Sequence, residues 1–69
     1  MTIRDWCSHT SNVFYGATVF TIYRTGKQSV RAVAGCIPDE LARREVLWIT
    51  VTKINPDTMG FKEVAVTIV

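Results

Sequence analysis

Apolar and polar residues alternate through two pairs of segments, and each pair predicts a β-hairpin: Ala17 to Arg24 with Gln28 to Gly35, then Val46 to Ile54 with Phe61 to Val69. In the first strand Phe20 and Ile22 point one way, and Val19, Thr21 and Tyr23 the other. Thr25-Gly26-Lys27 supplies a tight turn, with Gly26 where the backbone needs positive φ. The second strand sets Val30, Ala32 and Ala34 against Ser29, Arg31 and Val33. The third sets Leu47, Ile49 and Val51 against Trp48, Thr50 and Thr52. The fourth sets Val64, Val66 and Ile68 against Phe61, Glu63, Ala65, Thr67 and Val69, after a polar loop from Asn55 to Gly60.

The period changes to that of a helix in two places. Ile3, Trp6, Cys7 and Thr10 share one helical face, behind Thr2 and Asp5 in the arrangement of a capping box, with Asp in the usual Glu or Gln place. Between the hairpins, Ile37 to Glu45 carries a second helix signal. Pro38 sits in the first turn, where its missing N–H costs nothing. Asp39 and Glu40 lie at the positive end of the helix dipole, Arg43 and Arg44 at the negative end, and Ile37 and Leu41 form an apolar pair. The order α-β-β-α-β-β predicts one α+β domain over residues 1–69, with a four-stranded, mainly antiparallel sheet and two short helices packed on one face.

Assembled, the strand faces differ in kind. One is aliphatic: Phe20, Ile22, Val30, Ala32, Ala34, Leu47, Ile49, Val51, Val64, Val66 and Ile68. The helices are expected to cover it, since an antiparallel sheet needs only one buried face. The other carries Tyr23, Arg31, Trp48, Thr50, Thr52, Phe61 and Thr67. Aromatics and Arg among threonines are the composition of contact surfaces, although the same residues also suit strands for cross-strand packing alone. Tyr23, Arg31, Trp48, Thr50 and Phe61 are the candidate binding residues.

Size and composition add the expectation of a partner. A chain of 69 residues sits near the lower limit for folding on one core, and at 48% hydrophobic it has more apolar surface than so small a sphere hides. Self-association is expected, as a homodimer with two-fold symmetry, by apposed Trp48 faces or by pairing along the fourth strand if that strand lies at a sheet edge. Net charge is only +2, and Arg43-Arg44 is the one adjacent basic pair, so no polybasic patch tracks phosphates. Two cysteines do not make a secreted disulfide framework. Residues Met1 to Trp6 lack the basic start and apolar run of a signal peptide, and no window is long and apolar enough for a membrane span; a cytoplasmic protein is expected.

Little in the chain points to catalysis. Thr25-Gly26-Lys27-Gln28-Ser29 lacks the preceding glycine and following helix of a P-loop. Cys7, His9 and Cys36, with Asp39, could supply metal donors, but the paired Cys-x₂₋₄-Cys knuckles of a structural zinc site are absent. One histidine without an oxyanion loop does not make a nucleophile site, and no cofactor motif is present. A sheet displaying aromatics beside Arg is how single-strand binders stack bases, yet the alternating basic and aromatic run of RNA-recognition sheets is missing.

The overall build resembles short proteins carried by phages and mobile elements of Gram-positive bacteria. The resemblance lies in the Met1-Thr2-Ile3-x-Asp5-Trp6 first helix, the hairpin, the segment Pro38-Asp39-Glu40-Leu41 through Arg44-Glu45-Val46, and the final hairpin. That group includes inhibitors of host defence, among them anti-CRISPR proteins and sponges for nucleotide immune signals. The resemblance implies a non-enzymatic binding protein, a phage or prophage accessory factor that occupies the surface of a bacterial defence complex. Two alternatives are a homo-oligomeric sponge that holds a small nucleotide and a single-stranded nucleic-acid binder using the aromatic face.

Overall fold

In a computed structural model describing residues 1–69, the elements follow in the expected order: α1 (Ile3–His9), β1 (Val19–Arg24), β2 (Val30–Val33), a 3₁₀ turn (Ala34–Cys36), α2 (Asp39–Ala42), β3 (Val46–Ile54) and β4 (Phe61–Ile68). The Thr2 hydroxyl accepts the Asp5 N–H at 3.1 Å and the Asp5 carboxylate accepts the Thr2 N–H at 3.2 Å, which closes the capping box at the start of α1. Those bonds from Thr2 hold the Asp5 carboxyl below the usual carboxylate range. Gly26 has φ 74°, as the first hairpin turn requires. The second helix is shorter than its sequence signal: Pro38 caps it from outside and only Asp39–Ala42 is helical.

The four strands form one mixed sheet in the order β2-β1-β4-β3. Both hairpins are antiparallel, while β1 and β4 lie side by side in parallel, with Phe20 opposite Val64 and Ile22 opposite Val66. The last strand is therefore central. This corrects the expectation that β4 offers a free edge: both of its sides are paired, and the edges are the four-residue β2 and the nine-residue β3.

Helices cover one face only. Ile3 and Cys7 of α1 and Leu41 of α2 pack with Phe20, Ile22, Val64, Val66 and Ile68 in a single core cluster, joined by Val13 and Ala34. Trp6 closes one flank, its ring edge-on to Phe20 at 6.0 Å and stacked on Phe61 at 5.7 Å. Phe61 thus belongs to the helix side and not to the outer face where strict alternation puts it. The register explains the change: Lys53 pairs with Glu63 and the next residue, Ile54, with Phe61, so β4 bulges at Lys62.

A second bulge moves Leu47. Val46 pairs with Ile68 and Trp48 with Thr67, leaving Leu47 as an extra residue in β3. Val46 packs against the core in its place, and Leu47 is 62% exposed. Beyond the bulge the alternation resumes as expected, with Ile49 and Val51 against the core. Leu47→Ala is therefore expected to change stability by no more than about 0.5 kcal/mol. Ile49→Ala is expected to cost about 2 kcal/mol. Urea titrations of the two variants check the assignment, and a larger loss for Leu47→Ala would reverse it.

Candidate functional site

The sheet face away from the helices forms three cross-strand rows. Tyr23, Thr67 and Trp48 make the first; Arg31, Thr21, Ala65 and Thr50 the second; Val33, Val19, Glu63 and Lys53 the third. The order follows from alternation on β1 and β4, which carry the small residues Thr21, Ala65 and Thr67 along the middle. The larger Arg31 and Trp48 stand on the flanking strands, and Tyr23 on β1 itself. Tyr23 and Trp48 are separated by the breadth of β4, roughly 9–10 Å from two strand spacings, with only the short Thr67 between them. Trp48 is 69% exposed and Tyr23 48%.

Trp48 is not free to turn at will. Its indole N–H donates to the Thr50 hydroxyl at 2.9 Å, two residues along the same face of β3, which lays the ring along the strand edge. Leu47, exposed on β3, adds apolar surface at that edge. Exposure of Leu47 was not legible from the sequence, because a bulge has no composition signal here.

The charged row has a single carboxylate at its centre. Glu63 takes Lys53 at 3.1 Å and Arg31 at 3.9 Å. The Lys53 hydrogen bond, then the Lys53, Arg31 and Lys62 charges, hold its carboxyl below the usual range. Arg31 and Thr50 thus lie on the outer face as expected from the alternation, with Tyr23 and Trp48 beside them. Phe61, the fifth candidate, is on the other side of the sheet against Trp6.

The remaining candidates do not converge. Cys7 is buried in α1 and Cys36 is exposed in the 3₁₀ turn; both are free thiols, and burial pushes the Cys7 thiol up. His9 turns its Nδ1 to the Asp5 carbonyl at 2.7 Å. Asp39 is held by Arg4 and Arg43, and Glu40 by Arg44. No three His, Cys, Asp or Glu side chains gather in one place. No helix is long and apolar enough to cross a membrane.

Comparison with protein-family models, with curated proteins and with solved structures found no match to this chain.

Proposed function

We propose that the protein is a non-enzymatic binding module that docks on another protein through its open sheet face. The observation that supports this reading is the bare face itself, with Trp48 and Tyr23 standing exposed on either side of a floor of small residues. Trp, Tyr and Arg are the residues that dominate binding energy at protein interfaces, chiefly where they are ringed by contacts that exclude water. A pinned indole loses little freedom on docking, so its apolar area counts nearly in full. The resemblance to short phage and mobile-element proteins supplies the narrower form of the proposal: the surface occupied belongs to a bacterial defence complex.

The test is an immunity assay in a Gram-positive host, in which phage infection or plasmid entry is scored with and without this protein. Wild type is expected to suppress immunity and Trp48→Ala to lose that effect while its circular dichroism stays native. An interface anchor of this kind is worth about 2 kcal/mol or more, roughly a thirtyfold change in affinity. Full activity in Trp48→Ala would sink the reading.

A second copy of the chain has a route through β3. Apart from the Val46 N–H, which the Met1 carbonyl takes at 2.7 Å, the outer edge of this nine-residue strand carries no paired neighbour. Sedimentation equilibrium is expected to show reversible dimers at high concentration. A monomer throughout would remove self-association from the proposal. Single-stranded nucleic acid suits the face less well, because Arg31 and Lys53 both lean on Glu63 and leave little charge for phosphates.

A further inference from the structure

Arg24 ends β1 on the helix side of the sheet, following Phe20 and Ile22 by alternation and standing opposite Ile68. Its Nε is shut off from solvent and has no hydrogen-bond partner, and it is the one side-chain nitrogen or oxygen in the protein so placed. A buried guanidinium N–H without an acceptor is costly, and in native structures such groups are paired with protein, ordered water or an ion. Arg24 also lines a cavity of about 310 Å³, together with Thr25, Lys27, Glu40, Arg44 and Val69. The lining comes from the β1–β2 turn on one side and the end of α2 on the other. Arg44 pairs with Glu40 at 2.8 Å and donates to the Val69 carbonyl at 3.3 Å. Arg24 and Lys27 are in no ion pair.

We propose that this cavity is a binding site for a phosphoryl group carried by a small molecule. Arg24, Lys27 and Arg44 set three cationic side chains against one carboxylate side chain, Glu40, an excess that suits the negative charge of a phosphate monoester. The cationic groups come from two separate segments, Arg24 and Lys27 from the β1–β2 turn and Arg44 from beyond α2, and Thr25 stands among them in the lining. That arrangement suits a tetrahedral oxyanion better than a flat carboxylate, which one guanidinium satisfies. The only apolar lining residue is Val69, so an apolar ligand gains little. The volume falls at the low end of small-molecule sites, roughly 300–1,000 Å³. This site is on the opposite face from Trp48 and does not depend on the protein-docking proposal.

The Arg24 Nε–H is a direct reporter, because arginine side chains give their own ¹H–¹⁵N signals and a solvent-shielded one exchanges slowly. Inorganic phosphate replacing chloride at constant ionic strength is expected to move that signal together with the amides of Thr25, Gly26 and Lys27. Pyrophosphate is expected to act at lower concentration, and acetate to leave the signals in place. Lys27→Gln, on the exposed turn, is expected to keep the fold and weaken phosphate binding roughly threefold. Arg24→Lys keeps the charge but loses the Nε–H, and is expected to weaken it roughly tenfold or more. An Arg24 signal unmoved by phosphate and pyrophosphate would overturn the proposal. So would an equal response to acetate, or unchanged affinity in Lys27→Gln.

Discussion

Phe20→Ala is expected to leave the domain without a stable fold. Phe20 is fully buried near the start of β1, opposite Ala32 on one side and Val64 on the other. Its ring also meets Trp6 edge-on, and Trp6 in turn stacks on Phe61. Removing a buried Phe ring costs roughly 3–5 kcal/mol through lost transfer energy and the cavity left behind. A core of this size supplies rarely more than roughly 3–5 kcal/mol in total, so one residue removes most of it. Loss of the cooperative urea transition, followed by tryptophan fluorescence, is the expected result. Phe20→Leu keeps most of the volume and should retain the transition at a lower midpoint. If Phe20→Ala unfolds near the wild-type midpoint, Trp6 and Phe61 are not organised around this ring.

Thr18→Val comes next in size, although it keeps shape and volume. Thr18 is the only buried polar side chain, and its hydroxyl joins two segments that are far apart in the chain. It accepts the Phe14 N–H at 2.9 Å and donates to the Phe61 carbonyl at 2.5 Å. Valine at this position removes both bonds from partly buried backbone groups. Each buried polar group so orphaned costs roughly 1–3 kcal/mol, so a loss of about 2–4 kcal/mol is expected. Thr18→Ser keeps the hydroxyl and should recover most of it. The comparison separates hydrogen bonding from packing, since serine lacks the methyl group and valine lacks only the oxygen. A Thr18→Val variant as stable as wild type would mean that water reaches both backbone groups.

Neither residue is conspicuous in the sequence. Phe20 is one of eleven residues assigned to an aliphatic face, and Thr18 is an ordinary threonine near the start of a strand. What distinguishes them is position in the assembled structure. Phe20 lies on one of the two strands that pair on both sides, and Thr18 lies where the turn before β1 meets the first residue of β4.

Local rules were enough for much of the architecture. The capping box at Thr2 and Asp5, the positive φ at Gly26, the bounds of β3 and the buried faces of β1 and β4 all depend on residues within a few positions of one another. Short-range sterics and a period of two record such information directly in the chain. Four of the five candidate face residues, Tyr23, Arg31, Trp48 and Thr50, were legible for the same reason. Long-range pairing was a different matter. Which strand takes the centre is decided by how the two hairpins dock, and the parallel contact between β1 and β4 joins segments more than forty residues apart. That contact removed β4 from the sheet edge and left β3 there. The bulges at Leu47 and Lys62 arise because paired strands must keep both Val46 and Phe61 on the helix side, which no strict alternation allows. The cationic cavity is the furthest from local rules: the β1–β2 turn sets Arg24 near Lys27, but only the docking of the α2 segment beside that turn brings Arg44 and Glu40 to them.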